Sequence, residues 1–173
     1  MAYLIFPTAF GSCGIAWGDL GFTRFSLPEE SEAQSARLAQ GGDSAAAEDL
    51  VPEWVGRIVA RVRRHLSGDL QDFSDATFHW RLVTEFQHAV YLQALLIKPG
   101  FKRSYGDIAR AMALGPESAR AVGVALATNP WPLLVPCHRV VSASDRMTGF
   151  SAPGGIRTKT RLLALEGAEL LSE

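Results

Sequence analysis

The segment that identifies this chain is Asn129–Val141, with the sequence Asn-Pro-Trp-Pro-Leu-Leu-Val-Pro-Cys-His-Arg-Val-Val. Its prolines predict extended, non-helical backbone, because proline fixes φ and moves the preceding residue out of the helical region. The two valines at its end are β-branched and predict a short buried strand. Cys137 therefore lies where a rigid loop meets a strand. His138 and Arg139 beside it favour the thiolate, the form of cysteine that attacks electrophiles.

These residues alone leave two interpretations of Cys137 open. A free cysteine is most often a small buried hydrophobic residue. Side chains adjacent on a strand point to opposite faces, so we expect His138 to reach the sulfur only through a water or after a backbone rotation. A nucleophilic role therefore needs support from the rest of the chain.

Helices are predicted on both sides of this segment. Thr84 and Ser104 are the expected N-caps of the first two, and the third begins after Pro116. The predicted helices cover residues 85–97, 105–112, 117–128 and 157–170. The second and third are joined by a tight turn containing glycine, which predicts a helix-turn-helix.

The second helix of that pair is unusual for one that reads bases. Its side chains are small or apolar, and Arg120 is its only long basic residue. A helix that reads the major groove normally offers several amide or basic groups to base edges. A nearly bare helix instead permits close approach to a narrow groove, with Arg120 filling the gap left by an extruded base. The alternative is that the small residues only pack the helix against the core.

The pentapeptide Pro136-Cys137-His138-Arg139-Val140, preceded by Asn129-Pro130 and a helix-turn-helix, resembles the active-site signature of the O6-alkylguanine-DNA alkyltransferases, or methylated-DNA–protein-cysteine methyltransferases. The resemblance covers residues 86–168, about the last half of the chain. It implies direct, stoichiometric transfer of an alkyl group from O6-alkylguanine in DNA to the cysteine, with the base flipped out through the minor groove. Activity on O4-alkylthymine stays open.

The resemblance also implies catalytic roles for five residues. Cys137 is the nucleophile, and His138 takes its proton through a water. Glu166, in a Leu-x-x-x-Glu-Gly sequence, orients that histidine, and Asn129 braces the turn near the sulfur. Tyr105 donates to the purine ring and stabilises the departing anion.

Further residues are predicted to contact DNA or the flipped base. Arg120 fills the base stack, Ser151 and the backbone at Val140 hydrogen-bond the base, and Pro132 and Phe150 form apolar walls. The remaining predicted contacts are Ser104, Ser118, Ala119, Gly123, Arg139 and Lys159. Phe150 stands where many members of the family have tyrosine, and Ala152-Pro153 lengthens the following loop, so we expect an altered range of accepted alkyl groups.

The length of 173 residues allows one large or two small domains. Strands are predicted at residues 3–7, 13–18 and 21–26, with one more at 78–83 and a helix at 51–66. We expect an α+β fold with two domains. Residues 1–77 form a small α/β support domain with an antiparallel sheet, ribonuclease H-like by the resemblance, and residues 78–173 form a mainly helical domain of winged-helix or helix-turn-helix type that holds the active site.

Charge is distributed unevenly along the chain. Residues 1–97 hold 7 basic and 12 acidic side chains, whereas residues 98–173 hold 10 and 6. A positive second half is expected of a domain that contacts phosphates, although an ordinary solvated surface gives the same count. On the helix at 51–66, Arg57, Arg61, Arg64 and His65 are predicted to lie on a solvated face rather than to bind phosphate.

The composition of the chain argues against zinc, a cofactor and a membrane as partners. Cys13 has no second cysteine nearby, so we predict no zinc, and we expect no cofactor. No stretch approaches the roughly 20 apolar residues of a membrane span. The first residues, Met1–Phe6, lack the basic start of a signal peptide, so we expect a cytoplasmic monomer whose partner is double-stranded DNA containing alkylated bases.

Three other functions are compatible with parts of this sequence. A non-catalytic protein that binds alkylated bases would share the helix-turn-helix, but such relatives lack the cysteine. A helix-turn-helix regulator would present more base-reading groups than this helix does. A hydrolase with a Cys-His pair would not need the helix-turn-helix.

Overall fold

The computed structural model describes residues 2–28, 31–39, 44–142 and 156–168. The chain divides into two units, Met1–Leu82 and Val83–Glu173. Residues 77–79 belong to the first unit because they hydrogen-bond to its sheet: Phe22 N donates to Thr77 O (2.7 Å), and His79 N donates to Phe22 O (3.0 Å). The strand predicted at 78–83 is wrong, since only Phe78 makes a bridge there and Trp80–Leu82 forms a 3-10 helix.

The first unit is built on a four-stranded sheet. Its strands are β1 (Ala2–Thr8), β2 (Gly11–Gly18), β3 (Gly21–Ser26) and β4 (Ser44–Ala45), in the order β3-β2-β1-β4. The first three strands pair antiparallel, as predicted, and β4 adds to β1 in parallel. With the helices of both units, this sheet confirms the α+β class.

Two helices accompany this sheet, α1 (Ser31–Ala39) and α2 (Glu53–Leu66). An apolar stripe of α2 is buried through Val55, Ile58, Val59, Val62 and Leu66. His65 is buried too, which corrects its predicted surface position. It continues the stripe seven residues after Ile58 and three after Val62, and its Nδ1 accepts a hydrogen bond from Gln71 N (2.9 Å).

The second unit is mainly helical. Its helices are α3 (Glu85–Leu95), α4 (Tyr105–Ala111), α5 (Ala119–Ala127) and α6 (Ile156–Leu165), and β5 (Arg103–Ser104) pairs in parallel with β6 (Val140–Val141). The predicted N-caps are confirmed, because Thr84 Oγ1 accepts from Gln87 N (3.1 Å) and Ser104 Oγ accepts from Asp107 N (2.9 Å). Among the described residues no helix has the length and apolar character needed to cross a bilayer.

The turn between α4 and α5 contains an alanine in the left-handed region. Ala113 has a φ of 59°, and its N–H donates to Arg110 O (2.9 Å) while Leu114 N donates to Ala109 O (2.9 Å). These two bonds form a Schellman motif, in which the left-handed position normally carries glycine. The Cβ of an alanine there costs about 1–2 kcal/mol.

Replacing this alanine by glycine should therefore stabilise the protein. We expect Ala113→Gly to raise the free energy of unfolding in urea by about 1 kcal/mol, because relief of strain exceeds the added entropy of the unfolded chain. Ala111→Gly is the matched control: that residue is helical and should lose about 0.5–1 kcal/mol. Equal effects of the two substitutions would contradict the strained turn.

Candidate active site

The loop before Cys137 is held by one buried amide side chain. Asn129 Nδ2 donates to Val135 O (3.0 Å), and Trp131 N donates to Asn129 Oδ1 (2.9 Å). Leu133 lies inside this loop with a φ of 78° and is fully buried. A leucine in the left-handed region is strained, so packing and the Asn129 bonds must hold it there. The loop is thereby fixed on the way to the cysteine.

Cys137 begins a 3-10 turn rather than a strand. The turn spans Cys137–Arg139, and Arg139 N donates to Pro136 O (3.0 Å). Pro136 has a ψ of 63°, which bends the chain before the strand β6 begins at Val140. The predicted strand geometry, with Cys137 and His138 on opposite faces, is wrong for this reason.

A single carboxylate joins this turn to α6. Glu166 has a fully buried side chain, and its oxygens lie 3.0 and 3.1 Å from His138 Nε2. Arg139 donates to the same carboxylate through Nε (2.8 Å) and Nη2 (2.7 Å), and through Nη1 to Ile97 O (2.7 Å). Removing one partner of a buried ion pair typically costs about 3–5 kcal/mol. This cluster therefore fixes the orientation of the His138 ring.

Two of the predicted DNA contacts lie inside the protein. The guanidinium of Arg139 is occupied by Glu166 and Ile97, and Lys159 is only 1% exposed, with Nζ donating to Val140 O (2.9 Å). Neither side chain reaches solvent from these positions, which corrects the prediction that they contact DNA. Burial lowers the pKa of Lys159, and attraction to Cys137 opposes that shift.

The thiol of Cys137 is not ionised by its surroundings. Only 4% of the residue is exposed, and burial raises the pKa of the Cys137 thiol to about 11. Hydrogen bonding from Asn129, the charge of Lys159 and nearby backbone groups act in the opposite direction but are weaker. This corrects the expectation that neighbouring groups hold the cysteine as a thiolate. A reaction at neutral pH needs a base to take the proton.

The helix-turn-helix surrounds an open cavity of about 730 Å³. Tyr105 and Ser104 from the start of α4 line it together with Ala119 and Arg120 from the start of α5. Gly123 lies behind them, where an added Cβ would be 3.8 Å from the Tyr105 ring. The structure thus brings together the predicted base-extruding arginine and the predicted tyrosine.

The Cys137 thiol does not line this cavity. Lys159 Nζ lies 6.0 Å from the centroid of the Tyr105 ring and interacts electrostatically with Cys137, so it connects the cavity wall with the thiol.

The remaining predicted contacts lie in different surroundings. Val140 is buried, Pro132 is half-buried, and Ser118 caps α5 without a side-chain hydrogen bond. Phe150, Ser151 and Ala152-Pro153 lie outside the described residues.

Five residues of the cavity wall were not predicted from the sequence, namely Gly106, Asp107, Arg110, Pro116 and Ser142. Arg110 and Ser142 line it with Arg120. Arg110 also forms an ion pair with Asp107, one turn earlier on α4. The feature of the sequence that could have indicated Arg110 is its position as an exposed arginine on the first helix of the helix-turn-helix. Among the described residues, no three metal-binding side chains come together.

Comparisons with known proteins agree with this arrangement. The family model for the DNA-binding domain of 6-O-methylguanine DNA methyltransferase matches residues 85–168. A methylated-DNA–protein-cysteine methyltransferase of Methanothermobacter thermautotrophicus is 31% identical over 91% of this chain and 80% of its own length. The chain belongs to the methylated-DNA–protein-cysteine methyltransferase family.

Two mycobacterial proteins extend the comparison. The methyltransferase of Mycobacterium bovis is 43% identical over 108 residues, which are 62% of this chain and 62% of that protein. The chain therefore matches somewhat less than two thirds of that relative's length. A crystal structure of Mycobacterium tuberculosis OGT in complex with DNA has a TM-score of 0.74 and 30% identity, covering 96% of this chain and 93% of its own. The fold of this family member thus extends over both units.

The raised pKa predicts how the DNA-free protein reacts. Because only the thiolate attacks, alkylation of Cys137 by iodoacetamide should accelerate about tenfold per pH unit from about pH 7.5 to about pH 9.5. An unshifted thiol would begin to level off near about pH 8.5. The measurement is the rate at which the Cys137 peptide is modified, followed by mass spectrometry. Levelling off at or below about pH 8.5 would contradict the raised pKa.

Proposed function

We propose that this protein repairs DNA by moving the alkyl group of O6-alkylguanine onto Cys137. The observation that supports this most strongly is the geometry around the cysteine. In a member of this family, Cys137 starts a fixed turn whose histidine is bound by the buried carboxylate of Glu166. A base held and oriented by a third group is the usual means of activating a weak nucleophile.

The chemical step requires that the thiol lose its proton. With a pKa of about 11, only about one molecule in 10⁴ carries a thiolate at pH 7. His138, bound to Glu166, is the proposed proton acceptor, acting through a water. The sulfur then forms a bond to the alkyl carbon while the bond from that carbon to O6 breaks. The purine leaves as an anion, Tyr105 donates the proton that neutralises it, and the proton held by His138 then returns through water to the tyrosine oxygen, so that the protons balance.

The product explains why each molecule acts once. The alkyl group ends in a thioether, which has no easily displaced leaving group. We therefore propose stoichiometric transfer, after which the protein is spent.

The target base must leave the duplex to reach this site. The small side chains of α5 permit a close approach to a groove, and Arg120 stands exposed at the cavity mouth. Extrusion costs a few kcal/mol and is cheaper where an alkyl group has weakened base pairing. We propose that Arg120 occupies the vacated position in the stack while α5 lies in the minor groove.

We propose that the two units have different roles. The second unit carries the helix-turn-helix, the cysteine turn and α6, and its half of the chain is the positive one. The DNA-bound OGT of Mycobacterium tuberculosis supports DNA as the partner, and we propose that this DNA is double-stranded. The first unit is proposed to support the second. A protein that only binds alkylated bases is the alternative, and Cys137 with its buried dyad argues against it.

Transfer itself can be measured on the intact protein. After incubation with a duplex containing one O6-methylguanine, the mass of the protein should rise by one methyl group and then stay constant with excess duplex. Cys137→Ser should gain nothing, because the oxygen nucleophile is far weaker. Cys13→Ser is the matched control, since that cysteine is buried in β2, and it should gain one methyl group. More than one methyl group removed per molecule would exclude single-use transfer.

Base extrusion predicts that loss of the Arg120 side chain slows the reaction on duplex DNA but not the reaction on the free base. Arg120→Ala should lower the single-turnover rate on duplex DNA by about tenfold or more, because the extruded state loses its stabilisation. The rate on free O6-methylguanine, which needs no extrusion, should stay unchanged. Arg81→Ala is the control, an exposed arginine of the first unit. Equal losses on duplex and free base would show that Arg120 acts on chemistry or folding rather than extrusion.

A further inference from the structure

Two cavities in the first unit are unconnected with the cysteine chemistry. One has a volume of about 560 Å³ and the other about 450 Å³. Trp54 and Thr77 line both, so the two cavities are neighbours. Their volumes lie in the range of about 300–1,000 Å³ that is usual for small-molecule sites.

The larger cavity has aromatic walls. Trp17 and Trp54 line it, and Asp19 places a carboxylate beside them. The Trp54 ring packs on Phe22 with 4.9 Å between centroids, which holds the indole in place. Gly21 forms part of the wall, where a Cβ would lie 2.5 Å from Thr77 O, so no larger residue fits. A flat ring can stack against these indoles, and the carboxylate accepts hydrogen bonds from the ring edge.

The smaller cavity is basic. Arg57, Arg61 and Arg64 line it from one face of α2, against a single acidic lining residue, Asp75. Arg61 is held by Asp75 (3.0 Å) and by Asp72 O, and its guanidinium lies over the Phe73 ring. Arg64 Nε, by contrast, lies 3.3 Å from Asp69 in an exposed pair. Exposed pairs of this kind contribute little and exchange readily. Arg57 forms no ion pair or hydrogen bond with any described residue.

We propose that the two cavities together bind one nucleotide unit. The base stacks in the larger cavity against Trp54, and the phosphate lies in the smaller one against Arg57 and Arg64. An aromatic platform beside a basic groove is the arrangement by which proteins hold single-stranded nucleic acids. The Asp19 carboxylate favours guanine, whose N1–H and amino group are adjacent donors. The sequence alone favoured a solvated face for these arginines, and the adjoining aromatic cavity is what changes that interpretation.

The site can be tested on the full protein by nuclear magnetic resonance. The indole N–H of Trp54 is assigned by its loss in Trp54→Phe, and 2′-deoxyguanosine 5′-monophosphate is then titrated. We expect saturable shifts of this resonance and of the α2 amides near Arg57. Deoxyguanosine should bind at least about tenfold more weakly. Inorganic phosphate alone should leave the Trp54 resonance in place, because stacking is absent.

Matched variants distinguish a specific binding site from general attraction between charges. Arg57→Ala should raise the dissociation constant about tenfold, whereas Arg81→Ala removes the same charge from the same unit and should not change it. A single-stranded d(TGT) that binds more tightly than the mononucleotide would identify a nucleic-acid strand as the ligand, and the reverse would identify a free nucleotide. An unchanged Trp54 resonance with both ligands, or equal effects of Arg57→Ala and Arg81→Ala, would overturn the proposal.

This site is independent of the alkyl transfer proposed above. Arg57 lies outside the cysteine turn, the buried carboxylate and the helix-turn-helix cavity. Arg57→Ala should therefore transfer a methyl group from duplex DNA at the unaltered rate. Failure of the nucleotide site would leave that activity intact, and failure of alkyl transfer would leave nucleotide binding intact.

Discussion

The second unit depends on the buried carboxylate of Glu166. It accepts hydrogen bonds from His138 and Arg139, two neighbours in the cysteine turn, and Arg139 in turn reaches the backbone after α3. Charges removed from water are stable only when paired and hydrogen-bonded, so these groups specify one arrangement of α6, the turn and α3. The same interaction that holds these elements together also sets the orientation of the proposed base.

Burial has opposite effects on the pKa values of two ionisable groups at the proposed reaction site. It raises the pKa of Cys137 and lowers that of Lys159, and in both cases it favours the uncharged form. The two groups nevertheless attract each other when charged, so a thiolate beside an ammonium is the charged state that this site tolerates best. The dry surroundings that suppress ionisation also strengthen any charge interaction formed during the reaction.

Local features of the fold could be predicted from the sequence. Thr84 and Ser104 cap helices because their hydroxyls lie three residues before a backbone N–H, a relation contained within one turn of chain. Features that depend on tertiary contacts could not be predicted from the sequence. Lys159 is buried because its acceptor is a carbonyl 19 residues earlier, and His65 because the apolar stripe of α2 continues through it. The cysteine turn differs from a strand through one backbone angle of Pro136, which residue type alone does not fix.

The high pKa of the Cys137 thiol has a consequence for the single-use transfer that we propose. A cysteine ionised in the resting state would be consumed by bystander electrophiles and oxidants in its surroundings, and each such encounter would waste a whole polypeptide. A protonated, enclosed sulfur is inert toward them. Under the proposed transfer, the thiol would react only when an alkylated base is presented, so the number of active molecules would fall with damage to DNA rather than with exposure to reagents.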